Sequence, residues 1–307
     1  ITLFDRMDYI ANFNNEHVYV RAVEKLMGLE VSERSEYIRV ILCELNRIAS
    51  HMLFIATMGL DAGAMTPSMF CFRGRERIQG LFESVSGARM MHNYFRIGGL
   101  KEDVPEDFVQ QVREVLDLVK KDTEESDKLL SFNEIFLARL KNIAVMRAED
   151  AVDYGLTGPC LRASGVDYDV RKAAPYSVYD RFDFDVPIGL DGDCWDRYYL
   201  RVQEVYQSIR IVEQALEQLP EGDTASSLGR RLLRPPAGEV YVRGENPRGE
   251  IGVYLNSDGA DRPYRIKVRP PSFCNLSALR HMLKDSWIAD SVVILGALDI
   301  VLGEVDR

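Results

Sequence analysis

Three short clusters hold the side chains best able to do chemistry. Asp5, Arg6, Met7, Asp8 and Tyr9 run consecutively and set opposite charges beside a phenol. The stretch LDAGAMTP at 60–67 puts the Asp61 carboxylate between an apolar run and a tight turn. The last ten residues, LDIVLGEVDR at 298–307, alternate charge with aliphatics. A phenol titrates near 10, so at neutral pH it is a neutral hydrogen-bond donor. Carboxylates can hold or pass protons. Each cluster also has a plain structural reading: a loop ion pair, a helix-ending Asp and a charged tail. Ion-pair networks perturb titration much as active sites do.

Other chemistries lack their residues. Cys43, Cys71, Cys160, Cys194 and Cys274 are scattered, with none within four residues of another. Such a set supplies no zinc or iron–sulfur ligand pair and suits a reducing compartment rather than a disulfide framework. His17, His51, His92 and His281 are equally dispersed, without HExxH. No GxGxxG follows a strand-like run, and there is no GxxxxGK[ST] or GxSxG, which argues against nucleotide binding and a hydrolase triad. The 307 residues allow two domains or one large one. With 46% hydrophobic residues a core can be buried. The charge of −10, from 48 acids and 38 bases, is opposite to that of a free-standing nucleic-acid binder. No uninterrupted apolar run reaches the length of a membrane span.

The clusters must be positioned by helices. Apolar residues at Ile38, Ile41, Leu42, Leu45, Ile48, Met52 and Ile55 follow helical spacing. They predict a helix from about Glu36 to Asp61, with Ser32 or Ser35 as cap. A second helix is expected from Thr66, its hydroxyl capping and Pro67 in the first turn, running towards Met91. A third follows Pro105, and a fourth spans about Asp196 to Leu219. Residues 155–193, dense in Gly, Pro, Asp and Tyr, read as long ordered loops. Beyond Pro236, EVYVRG, GEIGVYLNS and YRIKVRP alternate as a small antiparallel meander. A helix from Asn275 to Lys284 and an apolar segment from Ile288 complete the chain. The opening ITLFDRMDY reads as strand or loop. The expected fold class is α+β, mainly helical. A helical core covers 1–219, and residues 220–307 form the meander and a segment that packs back on the core.

The three clusters, in this order, resemble the quinone-site subunit family of respiratory complex I, called the D subunit in bacteria and the 49 kDa subunit in mitochondria. Further matching motifs are AVEKLMG at 22–28, YIRVILCELNRIASH at 37–51 and SGARM at 86–90. They continue with LTGPCLRASGVDYDVRK at 156–172, QSIRIVEQAL at 207–216 and NPRGEIGVYLNSDGADRPYRIKVRPPSF at 246–273. The resemblance covers essentially the whole chain. It implies a fold like the nickel–iron hydrogenase large subunit. It also implies that the family's N-terminal β portion, with a histidine-bearing loop, is missing before Ile1 and that GEVDR is the natural end. None of the four histidines present is then given that loop's role.

The resemblance implies roles residue by residue. Tyr9 matches the tyrosine that hydrogen-bonds a quinone carbonyl, and Asp61 the acid that couples with the histidine of the missing N-terminal loop. Leu53 and Thr57, one and two turns before Asp61, resemble quinone-cavity residues, as do Asp299, Val301 and Arg307 in the tail. His92 stands one place beyond a histidine position of many family members, now Met91, so it is expected to point elsewhere. Hydrogenases of this fold end in D-P-C-x-x-C-x-x-H. Here Asp299 stays Asp, while Val301 and Glu304 replace the cysteines and Arg307 the histidine, so the C-terminal pair of thiolate ligands for a nickel–iron centre is absent, the other pair of that fold lying upstream of Ile1.

The implied function is one subunit of a proton-pumping NADH-quinone oxidoreductase that binds no metal or cofactor itself. It would reduce quinone against a neighbouring iron–sulfur subunit that carries the terminal cluster. Its partners would be that subunit, the C subunit, the other complex I subunits, the membrane arm and quinone. The location would be peripheral, on the cytoplasmic face of a bacterial inner membrane or the matrix side of a mitochondrial one. The alternatives are a non-catalytic scaffold or assembly subunit of the same fold and a hydrogenase-type large subunit.

Overall fold

The structure is a computed structural model that describes residues 1–224 and 233–306. A single-turn 3-10 helix at Phe4–Arg6 leads into α1 (Asn12–Met27), α2 (Glu33–Asp61), α3 (Thr66–Ser86) and α4 (Phe108–Leu130). Between α3 and α4, β1 (Phe95–Arg96) and β2 (Gly99–Leu100) form a short hairpin. Short helices follow: α5 (Glu134–Leu140), α6 (Ala148–Asp153), α7 (Pro159–Ala163) and α8 (Val170–Ala173). Then come α9 (Cys194–Glu217), the strands β3 (Gly238–Asn246), β4 (Gly249–Ser257) and β5 (Arg265–Arg269), and α10 (Pro271–Leu276). The described chain ends in α11 (Leu279–Met282), α12 (Asp290–Leu298) and α13 (Leu302–Asp306). The architecture is mixed α+β and mainly helical, and the meander has the order β3-β4-β5.

The axis of the molecule is α2. Ser32 caps it by accepting from the Ser35 amide, one turn earlier than apolar periodicity alone places the start. The helix is long and apolar enough to cross a membrane, but 89% of its most apolar window is buried inside the protein. It is a core helix, packed by α1, α3, α9 and α12. Along its length Ile38, Ile41, Leu45, Ile48, Met52 and Ile55 are buried. A second core, formed by Phe4, Met7, Val18, Ala22, Val242, Ile251 and Val253, seats the sheet on α1.

Several sequence expectations need correction. The opening segment is a 3-10 turn, and α1, unsuspected from periodicity, follows it. Its buried face carries Asn12, Asn14, Asn15, Glu16 and His17, so the apolar pattern is blurred. Thr66 does not cap α3. Met65 already has helical dihedrals and stands at the N-cap, which places Thr66 inside the first turn. That helix stops at Ser86 because Gly87 turns left-handed at φ 81°. The helix expected over 275–284 is two pieces. The Ser277 hydroxyl donates to the carbonyls of Cys274 and Tyr154, which ends the first piece. Within 155–193 the loops are as expected but hold α7, α8 and a 3-10 turn at Tyr179–Arg181.

A sealed ion network fastens these parts together. Arg171 donates to Glu44 at 3.1 Å and to Asp169 at 2.7 Å. Arg47 pairs with Glu44 at 3.1 Å and donates to the Glu245 carbonyl at 2.6 Å. Arg162 reaches Glu204 at 2.6 Å and Glu245 at 2.9 Å. His51 lies 2.9 Å from Glu204. All of these side chains are buried. Three guanidiniums thus face four carboxylates, so one carboxyl is left to keep a proton. Arg47 and Arg171 hold the Glu44 carboxyl below its usual range against its burial. Arg162 similarly lowers Glu204, and Arg171 brings Asp169 to about 2. Burial, with the negative charge of Asp169 nearby, pushes Glu245 up to about 7.

Removing one partner of a buried pair leaves an unanswered charge, which costs about 3–5 kcal/mol. Arg171→Leu should therefore lower the stability of the full chain against denaturant by that much; a loss below about 1 kcal/mol would refute the assignment. Glu245 binds its proton more tightly folded than unfolded. Its stabilising contribution is complete below its ordinary value of 4.5 and is lost as pH rises through about 7. Glu245→Gln should remove that slope. The melting temperature of the variant relative to the parent should climb from about pH 5 to about pH 7 and then level off, whereas a constant difference would contradict it.

Candidate functional site

The N-terminal cluster is held by a lattice of amides. The Asn12 side chain donates to the Asp5 carbonyl at 2.7 Å, and that of Asn15 to the Phe4 and Asp8 carbonyls at 3.2 and 3.1 Å. From α2, the Asn46 amide donates to the Ile10 carbonyl at 2.8 Å. Asn246 at the end of β3 steadies Asn15 at 2.7 Å. These contacts satisfy the carbonyls of a segment too short to form a ladder of its own. Tyr9 projects from this lattice. It is 38% exposed, and its hydroxyl has no hydrogen-bond partner among the described residues.

Behind Tyr9 sits Arg248, buried at the tip of the β3–β4 hairpin. Its Nη1 donates to Asp8 Oδ2 and to Ser50 Oγ, both at 2.9 Å. Its Nη2 donates to Asp299 Oδ1 at 3.0 Å and its Nε to the Asp299 carbonyl at 2.8 Å. The N-terminal turn, α2 and the C-terminal segment thus meet on one guanidinium fork. The hairpin can reach this depth because two glycines touch. A Cβ on Gly158 would lie 2.4 Å from Gly249 Cα, and one on Gly249 would lie 2.6 Å from Gly158 N. Both have positive φ, 61° and 129°, which glycine tolerates without a Cβ penalty.

Asp299 itself is left-handed, at φ 54° and ψ 51°, and its Oδ2 lies 3.5 Å from Arg201 Nε. Val301 is buried, its amide donating to Ser272 Oγ at 3.3 Å. Glu304 is buried as well and accepts from the Ser272 amide at 3.0 Å. Burial, helped by the negative charge of Asp8, pushes Glu304 up to about 8. Burial raises Asp8 too, although Arg248 opposes the rise. The donor set here does not fit a nickel–iron centre: Val301 offers an alkyl group, Glu304 a hard oxygen already bonded to an amide, and among the described residues no cluster of metal-ligating side chains includes them. Arg307 lies outside the described residues.

Along α2, Ala49, Leu53, Thr57 and Asp61 recur every four residues and share one face. Ala49 lines a crevice with Tyr9, Asn12, Gln79 and His92. From there exposure increases: Ala49 is buried, Leu53 partly buried, and Thr57 and Asp61 exposed. The stripe is about 18 Å long at 1.5 Å per residue. The Thr57 hydroxyl bonds back to the carbonyls of Leu53 and Phe54. The Asp61 carboxylate lies beside Gly296 of α12, where a Cβ would stand 3.1 Å from Oδ2. Partial burial raises its titration above the usual carboxylate range. No hydrogen bond or ion pair joins Tyr9 to Asp61 among the described residues, so they mark two ends of one stripe.

The crevice at Tyr9 is only about 10 Å³, room for no more than one water. A wide open cleft of about 1020 Å³ lies elsewhere, between α1, α8 and β3, and includes neither Tyr9 nor Asp61. Its mixed lining of Arg21, Glu24, Lys25, Glu36 and Arg243 shows no convergent chemistry. His92 is buried, with its ring stacked on Phe13 at 4.1 Å and Nδ1 3.1 Å from the Ala88 carbonyl. Burial pulls its titration down to about 4, so it is neutral at neutral pH. Arg248, Ser50 and Gly303 went unnoticed as site residues in the sequence. The only signal for Arg248 was a charged side chain in the tight turn NPRG.

Comparison with known proteins gives the family. The family model for the respiratory-chain NADH dehydrogenase 49 kDa subunit matches residues 61–231 and 227–307. The D subunit of NADH-quinone oxidoreductase from Dehalococcoides mccartyi is 50% identical, over 100% of this chain and 84% of its own length. The proteins of the same name from Desulforamulus reducens and Clostridium beijerinckii are 49% and 48% identical. They match 98% and 99% of the chain and 82% of their own lengths. The chain belongs to the 49 kDa, or D, subunit family of the respiratory-chain NADH dehydrogenase.

Proposed function

We propose that this chain forms one wall of the quinone-reduction site of a proton-pumping NADH-quinone oxidoreductase. The observation that carries the reading is Tyr9: a phenol whose hydroxyl has no partner among the described residues, at the inner end of the Leu53–Thr57–Asp61 stripe beside Ala49. A quinone takes up two electrons and two protons to become a quinol. The electrons come from an iron–sulfur cluster in the neighbouring subunit, and this chain binds no metal or cofactor. The Tyr9 hydroxyl orients a quinone carbonyl oxygen and gives it a proton, and the tyrosinate is reprotonated before the next turnover. Asp61, near the outer end, serves proton resupply, and its raised titration suits that task. Leu53 and Thr57 line the path of the quinone, and Asp299, Val301 and Arg307 border the head end.

The small crevice at Tyr9 supports a site completed by another subunit, since this chain alone encloses no quinone-sized space there. Exposed Leu60, Met65, Met69, Trp287, Ile288 and Val292 lie on α2, α3 and the approach to α12. Grouped apolar exposure of this kind marks an interface. It suits docking on the iron–sulfur subunit, the C subunit and the membrane arm, with the chain peripheral on the cytoplasmic or matrix face. The fold is read as that of the nickel–iron hydrogenase large subunit with the metal ligands replaced.

The test is Tyr9→Phe in the assembled complex. The ring and its packing stay, so NADH oxidation with an artificial acceptor should remain at the parental rate. Quinone reduction should fall by about 10²–10⁴-fold, the worth of a positioned proton donor. Asp61→Asn should give a milder version of the same split. Normal quinone kinetics in Tyr9→Phe would sink the catalytic reading in favour of a scaffold.

A further inference from the structure

Tyr9 is gripped from behind by residues that never reach its hydroxyl. One is Arg248, whose single guanidinium fork ties Asp8, the residue next to Tyr9, to Asp299 and to Ser50 of α2. The other is Gly303. A Cβ built there would stand 2.6 Å from the Met7 carbonyl oxygen, 2.9 Å from that of Arg6 and 3.1 Å from Tyr9 Cδ1. Gly303 of the C-terminal segment therefore packs closely against the two carbonyls before Tyr9 and the edge of its ring. Its approach is fixed at one end by Asp299 on Arg248. At the other end it is fixed by Glu304 on the Ser272 amide.

We propose that Arg248 and Gly303 are positioning residues for Tyr9, the first clamping Asp8 to the C-terminal segment and the second giving the Tyr9 ring a close-fitting floor. The inference rests on the reading of Tyr9 as the group that meets the quinone. It assigns a function to the hairpin tip and to the tail beyond that reading, because neither residue touches the reacting atoms. A lysine at 248 keeps a cation between Asp8 and Asp299 but loses the fork that holds both carboxylates and the Asp299 carbonyl. An alanine at 303 removes no polar group but drives a methyl against the Met7 and Arg6 carbonyls and the edge of the Tyr9 ring, so the turn that carries Tyr9 must shift. Misplacing a reacting group by about 1 Å costs about 10²-fold.

The experiment is a double-mutant cycle in the membrane-bound complex. Arg248→Lys and Gly303→Ala are each combined with Tyr9→Phe, using a short-chain benzoquinone and a short-chain naphthoquinone as probes. Oxidation of NADH with an artificial acceptor reports assembly. Gly303→Ala and Arg248→Lys should each slow quinone reduction about 10- to 100-fold with assembly intact. In the Tyr9→Phe background neither should slow it further, because the hydroxyl they position is already gone. Losses that multiply with that of Tyr9→Phe would show that the two residues act apart from Tyr9 and would overturn the inference. So would parental rates in Gly303→Ala, which also decides the matter if Arg248→Lys fails to assemble. A parental rate in Tyr9→Phe alone would overturn the inference through the reading beneath it, and that single variant tells the two failures apart.

Discussion

The constraint on which the structure depends is that α2 is buried on nearly every side and yet carries charge. Glu44 and Arg47 sit in mid-helix with no access to water. An ion left alone there would cost several kcal/mol; the two pair with each other, and Glu44 takes a second cation from Arg171 while Arg47 also donates to the Glu245 carbonyl. Arg171 comes from α8, Arg162 from α7, Glu204 from α9 and Glu245 from β3. The irregular stretch between α6 and α9 is thereby fixed in place: its two arginines are the counter-ions that the core helices need. The network does more for geometry than for net stability, since a well-packed apolar core of the same volume can be equally stable. What it supplies is one allowed arrangement of loop, sheet and helix.

Arg248 repeats the device on a smaller scale, meeting α2 at Ser50, between Arg47 and His51 of the network. Ser50 belongs to α2, so the fork of Arg248 registers the N-terminal turn and the tail against the same helix that carries Leu53, Thr57 and Asp61. Any error in the position of Tyr9 relative to the stripe must therefore strain a buried hydrogen bond. Among the described residues this cluster has three carboxylates, Asp8, Asp299 and Glu304, for two guanidiniums, Arg248 and Arg201. Burial first, and then the negative charge of Asp8, push Glu304 up to about 8, while its bond is to a backbone amide rather than a cation.

Helices α2, α4 and α9 and the three-stranded meander were legible because one face of each is apolar at a regular period. Helix α1 was not, since Asn12, Asn15 and Glu16 spend their polarity inside the molecule on partners far along the sequence: Asn12 and Asn15 hold the Tyr9 turn, and Glu16 accepts from the Tyr94 and Phe95 amides. A polar residue with a buried partner reads in sequence as a polar residue facing water. The C-terminal end of α3 falls short of the sequence expectation for a local reason, a left-handed glycine at 87 that outweighs helical propensity on either side. Tyr9 and Asp61 were nameable only through resemblance to a family. Their residue types say phenol and acid, and spacing puts only Asp61 on a helix face. Arg248 was invisible because its partners, Asp8, Ser50 and Asp299, come from three distant segments.

The same geometry explains why a tyrosine can be both exposed and precise. An exposed side chain on a short turn would ordinarily wander, since its backbone has no ladder of hydrogen bonds. Here the turn borrows rigidity from outside: amides of Asn12, Asn15 and Asn46 take up its carbonyls, Arg248 takes Asp8, and the tail covers its back. Ordering of the turn is thus complete before any ligand or partner arrives, and docking a second protein over Tyr9 costs little further backbone entropy there. The proposed site between two subunits needs this asymmetry. One wall must be preorganised so that the other, on closing, excludes water and completes the cavity without having to arrange the reacting group.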